Sequence, residues 1–245
     1  MSDPGPLTWP GQDAIFGFER TFERHTENQM AHTPVTAESD TRPVTRTKGY
    51  DRKLEHVVAA AARLISRQGY GQSTLRQVSR EAGMSLAGLY HYFSSKEELL
   101  FRIQYHTFDA ILQGLVKRLE GVDDPKDGLR VIVTNHLEHF LAHMDELKVC
   151  AGEMETLTGD YYEQVRVLRQ RYLGVTVDMV ESIAAEAGGT RADPRLATLY
   201  LFGMLNWIYM WYPREGGESG DLLADRLVTV FLDGFLPRES SAGSS

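Results

Sequence analysis

Between Gly83 and Lys96 the chain gathers side chains suited to gripping a phosphodiester backbone: Ser85, Tyr90, His91, Tyr92 and Lys96, with Thr74 and Arg76 shortly upstream. A serine at a helix start offers its hydroxyl and free backbone N–H groups to a phosphate, phenols donate a hydrogen bond, and a lysine supplies a point charge. Leu86, Ala87 and Gly88 stand among them without a hydrogen-bonding side chain. Set against base edges, such a trio works by contact with thymine methyls and by close backbone approach rather than by bidentate pairing. Arg76 can read guanine or simply touch the backbone, and His91 is balanced in the same way between a contact and a solvated side chain. Leu89 and Phe93 read as core, and Tyr90 is divided between a packing and a phosphate role.

A second group is His136, His139 and His143, at i, i+3 and i+7, with Glu138 and Asp145 nearby. Imidazoles on one helical face can hold zinc or nickel, but no cysteine joins them and one open face seldom closes a site. Metal sensing is therefore a subsidiary alternative, and no metal ligand is assigned. Cys150 stands alone, which excludes an intrachain disulfide and fits a reducing, cytoplasmic setting; an isolated cysteine is usually a small buried hydrophobe rather than a redox switch. The sequence shows no nucleophile elbow, no phosphate-cradling glycine loop and no paired carboxylates in an apolar setting, so no enzyme and no cofactor are expected.

These side chains need helices to carry them. From Tyr50 the apolar residues Leu54, Val57, Val58, Ala61, Leu64 and Ile65 keep a helical rhythm that ends near Gly69. Ser73 or Thr74 can cap a second helix, Thr74 with Gln77 forming a capping box, and Gly83 suits a left-handed stop. Ser85 caps a short third helix. Ser95 and Glu98 make another box, opening a fourth helix that runs to about Gly121. Beyond it, Asp123-Asp124-Pro125, Asp145, Gly159-Asp160, Gly188-Gly189, Asp193-Pro194, Pro213 and Gly216-Gly217 punctuate further helical stretches, and no segment alternates like a strand. The fold class is all-α.

Two helices joined by a tight turn at Gly83-Met84 meet the requirement of a helix-turn-helix. A net charge of −8 argues against a nucleic-acid partner until its distribution is considered. Between Arg46 and Arg102 ten basic residues face five acidic ones, a net +5 that leaves −13 on the rest. A basic module on an acidic body is a footprint of a protein that touches DNA at one end. The run 1–45 holds Pro4, Pro6, Pro10, Pro34 and Pro43 without sustained period and reads as disordered, with one aromatic stretch at Ile15-Phe16-Gly17-Phe18 and Phe22. No apolar run is long enough to span a membrane, and Met1 to Pro10 is no signal peptide.

Gly69-Tyr70, Thr74-Leu75-Arg76-Gln77-Val78, Glu81-Ala82-Gly83-Met84-Ser85, Leu89-Tyr90-His91-Tyr92-Phe93 and Lys96-Glu97-Glu98-Leu99-Leu100 together resemble the TetR family of bacterial regulators over about residues 50–102. The resemblance implies that Tyr90, Tyr92 and Lys96 grip the DNA backbone, that Leu86, Ala87 and Gly88 face base edges, and that Arg76 sits where some members reach a base. It implies an N-terminal helix-turn-helix head (46–102) on an all-helical effector-binding and dimerisation domain (103–237), with 1–45 and 238–245 disordered. One short helix reads too few base pairs alone, so a homodimer on a palindromic double-stranded operator is expected, with two copies about 34 Å apart. The last two helices would form the interface, through Leu196, Leu199, Leu201, Leu205 and Ile208 on one and Leu223, Leu227, Val230, Phe231, Gly234 and Phe235 on the other.

Asn206-Trp207-Ile208-Tyr209-Met210-Trp211-Tyr212-Pro213, with Glu153 to Tyr162 and Arg166, Arg169 and Arg171, is similar to TetR-type regulators of fatty-acid and sterol degradation, which commonly sense an acyl-CoA. The resemblance implies a repressor released by a small effector, with Trp207, Met210, Trp211 and Asn206 lining an apolar tunnel and Arg166 and Arg169 holding phosphates. An aromatic stripe and helix-borne arginines are also what a plain core and a solvated face look like. The alternatives are another hydrophobic effector controlling efflux or catabolism, a metal response, or a DNA binder with no ligand.

Overall fold

A computed structural model describes residues 48–213 and 215–236; the aromatic stretch at 15–22 and the ends read as disordered, 1–45 and 238–245, lie outside the described residues. Two compact units divide the chain, Met1–Leu54 and Glu55–Ser245, and the packing that positions the functional residues belongs to the second. The described residues form α1 (Lys48–Gln68), α2 (Leu75–Glu81), α3 (Leu86–Tyr90), α4 (Lys96–Leu119), α5 (Pro125–Ala142), α6 (Met144–Gly152), α7 (Gly159–Glu186), α8 (Pro194–Asn206) and α9 (Gly220–Phe235), with single 3-10 turns at Met154–Thr156 and Trp207–Met210. There is no strand among them. The fold is all-α.

The local signals act where the sequence puts them, with one change. Thr74 caps α2 in a complete capping box, its side chain accepting from Gln77 N–H while the Gln77 side chain accepts from Thr74 N–H. Gly83 takes φ +64°, the left-handed geometry that a glycine adopts without backbone strain and that turns the chain from α2 into α3. Ser85 accepts from Gly88 N–H and opens α3. At α4, Ser95 accepts from Glu98 N–H, but the Glu98 carboxylate reaches Ser94, bonding its N–H at 2.8 Å and its hydroxyl at 2.6 Å. The second expected box is therefore shared across two serines.

Asp124 and Asp193 cap α5 and α8 ahead of Pro125 and Pro194, whose missing N–H costs nothing in a first turn. The break expected at Asp145 falls two residues earlier, at His143, and Asp145 lies in the first turn of α6.

In the head, Val57, Ala61, Ile65, Val78, Leu89 and Phe93 close a small core. The larger core joins Ile111 and Leu115 of α4 to Leu129, Ile132, Val133 and Phe140 of α5, Tyr172, Val180 and Ile183 of α7, Leu201 and Leu205 of α8 and Phe231 and Phe235 of α9. A Cβ on Gly128 of α5 would meet the flexible end of the Met179 side chain on α7, which would have to turn aside. α4 runs unbroken across the boundary expected at residues 102 and 103, so the element that ends the head also begins the body.

Candidate nucleic-acid interface and effector site

The surface presented by α2 and α3 carries most of the expected contacts outward. Arg76, Ser85, Ala87, Tyr90 and His91 are exposed, and Leu86, Gly88 and Tyr92 are half-buried. Tyr90 is 54% exposed, which removes the packing alternative for it. Leu89 and Phe93, on the opposite side of the same turn, are fully buried and fix the angle at which α3 stands. The hydroxyl of Thr74 is spent locally, since it also donates to Gln77 Oε1 at 3.0 Å. Arg63 and Arg67 of α1 both face Glu81 of α2, at 3.7 and 2.9 Å, and so tie the two helices instead of standing free.

Lys96 differs most from expectation. Its ammonium donates to Tyr70 C=O at 2.9 Å and Ser73 C=O at 3.1 Å, and lies 4.0 Å from the centre of the Tyr70 ring. Two of its three N–H donors thus hold the loop before α2 onto the start of α4, leaving at most one for a phosphate. Tyr70 is anchored from its other side, its N–H donating to Glu153 Oε1 at 3.0 Å. Burial, then the charges of Glu97 and Glu153, push its phenol above the ordinary range. Neither Tyr70 nor Glu153 was assignable from the sequence, since each acts through a contact more than twenty residues away.

In the body the residues expected to line one effector site are separated. Trp207, Met210 and Trp211 are 55%, 58% and 56% exposed on the turn after α8, so in the single chain they form a surface patch and not a tunnel wall. The cause is the 3-10 turn, which sends only Ile208 inward. Asn206 is half-buried at the end of α8. The Arg166 guanidinium pairs with Glu163 at 2.7 Å. Arg169 turns inward, its Cζ 5.2 Å from the centre of the Phe108 ring, and its Nη1 is closed off from solvent without a partner.

A further buried polar side chain stands on the inner face of α4. Gln104 of α4 is fully buried and donates to Glu153 C=O at 3.0 Å, with its Oε1 unpartnered. Burial raises the Cys150 thiol to about 12 against the opposing pull of Arg169, so it stays protonated and is no redox switch. A glutamine on the apolar face of α4, between Leu100, Ile103 and Ile111, was the sequence signal for this pocket of polarity.

The three histidines do not converge. His136 is buried against Tyr172 and Phe202, while His139 and His143 stack on each other at 4.8 Å. Desolvation lowers His136 to about 3 and His139 to about 4, helped by the neighbouring imidazoles. No group of three or more His, Cys, Asp or Glu placed to hold a metal ion occurs among the described residues.

Two family models match. "Bacterial regulatory proteins, tetR family" covers residues 57–103, and "Tetracyclin repressor-like, C-terminal domain" covers residues 122–235. Among curated proteins, the HTH-type transcriptional regulator HbdR of Aromatoleum sp. (strain CIB) is 28% identical over 177 residues, which is 72% of this chain and 76% of that one. A TetR-family regulator from Bordetella parapertussis superimposes with a TM-score of 0.70 at 29% identity, covering 76% of this chain and 96% of that one. AibR, solved in complex with isovaleryl coenzyme A and operator DNA, gives a TM-score of 0.64 at 26% identity, over 73% of this chain and 97% of its own. These relatives are transcriptional regulators, and no described helix is long and apolar enough to cross a membrane.

Proposed function

The chain belongs to the TetR family of DNA-binding transcriptional regulators, and on that premise we propose that it is a cytoplasmic homodimeric repressor, released from a palindromic operator by an acyl-CoA. The observation that carries the DNA half is the outward face of α2 and α3. There Ser85, Tyr90 and Tyr92 grip phosphates around a sparse reading trio, Leu86, Ala87 and Gly88, while Arg76 and His91 supply the polar base contacts. Lys96 adds its remaining donor to that grip and holds the loop behind it.

The dimer is supported by two stripes, of which Leu223 and Leu227 also pack against the monomer core. Leu196, Tyr200, Gly203 and Trp207 recur at i, i+4, i+7 and i+11 along α8 and the turn after it, and Leu223, Leu227, Val230 and Gly234 repeat the spacing on α9. Leu196, Tyr200, Trp207 and Val230 are each more than a third exposed, at 37%, 59%, 55% and 64%, whereas Leu201, Leu205, Phe231 and Phe235 on the opposite sides are buried. The buried set closes the monomer, and the exposed set pairs with a second copy in a four-helix bundle. Leu201, Leu205, Ile208, Phe231 and Phe235 thus leave the expected interface for the core.

Acyl-CoA is supported by the bound ligand of AibR and by the unpaired interior donor at Arg169. A ligand that binds more tightly when the heads are spread apart draws the dimer off its operator in proportion to that preference. Fluorescence anisotropy of an operator-bound dimer, titrated with acyl-CoA thioesters of increasing chain length, tests this. Release by some thioesters, with coenzyme A alone inactive, is the expected result. No release at any chain length removes this ligand class and leaves another hydrophobic effector as the reading.

A further inference from the structure

The start of α7 gives up its own cap. Thr158 stands at the N-cap position with extended backbone, yet its side chain accepts no hydrogen bond from the helix it opens. A threonine there ordinarily accepts from one of the first free N–H groups. Instead its hydroxyl donates to Glu97 Oε1 of α4 at 2.7 Å, and its N–H reaches the same oxygen at 3.1 Å. About one turn further along each helix, Phe101 and Tyr161 stack with ring centres 4.4 Å apart and planes 18° from parallel. The first turns of α4 and α7 are therefore joined to each other rather than finished separately.

Upstream of Thr158, Glu153 is held from two sides. Gln104 of α4 donates to its C=O at 3.0 Å, while its carboxylate accepts Tyr70 N–H through Oε1 and the Thr156 hydroxyl through Oε2, each at 3.0 Å. Tyr70 C=O in turn accepts the Lys96 ammonium at 2.9 Å, and Lys96 is the chain neighbour of Glu97. These contacts close a circuit. It runs from Tyr70 to Glu153, along the connection 153–158 to Thr158, across to Glu97, and through Lys96 back to Tyr70. Leu157 anchors the connection by its burial, and the Tyr70 phenol, raised first by burial, is raised further by the charges of both Glu97 and Glu153. Three pieces of chain are bound into one: the connection between α6 and α7, the first turn of α4, and the loop 69–73 that leads into the reading helices.

We propose that Glu97 and Glu153 are positioning residues that close a clasp between the α6–α7 connection and the head, and that the effector moves the head through this clasp. The inference rests on the reading of the chain as an effector-released repressor, and it names the contacts that regulate release. A closed circuit passes a displacement of either helix end to the loop before α2. Opened at one contact, it lets the connection and that loop move separately. The Ser66 hydroxyl bond to Asp145 at 2.7 Å lies outside the circuit, so α1 stays tied to α6 when the clasp is open.

Operator binding by fluorescence anisotropy, on a fragment selected from genomic DNA by the wild type, tests the clasp with and without saturating decanoyl-CoA. The wild type should lose operator affinity by about 5- to 150-fold when the thioester is bound. Glu153→Met and Glu97→Met should each bring that factor to within about 2-fold of unity while still binding decanoyl-CoA. Glu153→Gln, whose amide oxygen still accepts Tyr70 N–H, should keep the wild-type factor. A merely structural contact would lower the melting temperature and leave the factor unchanged. Thr158→Val removes only the hydroxyl bond, and should still shrink the factor by at least about 3-fold if a Met variant does not fold or no longer binds the operator. Variants released from the operator as the wild type is overturn the proposal.

If decanoyl-CoA does not release the wild type, the acyl reading fails, and the clasp is judged without ligand by hydrogen exchange. Neither Glu97 nor Thr158 bonds the Tyr70 amide, which they reach only around the circuit. A closed clasp therefore requires that Glu97→Met and Thr158→Val each speed exchange of that amide by at least about 5-fold. Wild-type exchange at Tyr70 in either variant overturns the clasp.

Discussion

Lys96 and Tyr90 stand at the same rim of the head, yet the protein uses them differently. Lys96 spends two donors on Tyr70 and Ser73 carbonyls, and Tyr90 projects its phenol outward. Hydrogen bonds from a charged donor contribute about 1.5–3 kcal/mol, so Lys96→Met should lower unfolding free energy by that order in urea titrations. Tyr90→Phe should leave stability within about 0.5 kcal/mol while weakening operator binding. A Lys96→Met protein as stable as the wild type would return that lysine to a purely phosphate-binding role.

His136 makes a residue-scale prediction of another kind. Its folded pKa, lowered to about 3 by burial, lies below the unfolded value, so the unfolded chain takes up a proton that the fold refuses. This contribution is complete above about pH 6.5 and is lost as pH falls from there toward the folded value. His136→Phe should make the acid limb of stability against pH shallower by about one proton, or about 1.4 kcal/mol per pH unit. Denaturant unfolding at several pH values between 7.5 and 4.5 reads it, and identical limbs would show that His136 is protonated in the fold.

At the scale of elements, the turn between α2 and α3 depends on Gly83. Nothing lies within 4 Å of a Cβ placed there, so Gly83→Ala meets backbone strain without a clash. The left-handed conformation costs a non-glycine residue about 1–2 kcal/mol, and the expected stability loss is of that size. A loss measured by chemical denaturation that is indistinguishable from zero would mean that the turn relaxes.

Head elements were legible because their signals are local: Thr74 with Gln77, Gly83, Ser85, and the apolar spacing of α1 all act within a few residues. The body was legible as helices but not as a site. Whether Trp207 faces in or out depends on a 3-10 turn that helical spacing does not reveal, and Arg166 and Arg169 differ only in what stands opposite them. The Ser95 box shifted because Glu98 reaches Ser94 as easily as the cap itself. His136 and His139 share α5, but His143 stands at the break beyond its end, so a seven-residue spacing did not put all three on one helical face.

At the scale of the whole molecule, two heads of the proposed dimer read one symmetric operator. α4 belongs to both head and body, and in the proposed release a shift of the body helices is passed to the start of α4, where Lys96 holds the loop before α2. In the proposed dimer the exposed residues on α8 and α9 pair and so set the distance between the heads. DNase footprinting on genomic fragments selected by the protein, with the wild type and Val230→Glu at equal concentration, tests this pairing. The wild type should protect a two-fold symmetric site whose half-sites are centred about 10 base pairs apart or a multiple of that, and Val230→Glu, carrying a charge into the interface, should leave it open. An asymmetric footprint, or full protection by Val230→Glu, would contradict the paired-head account.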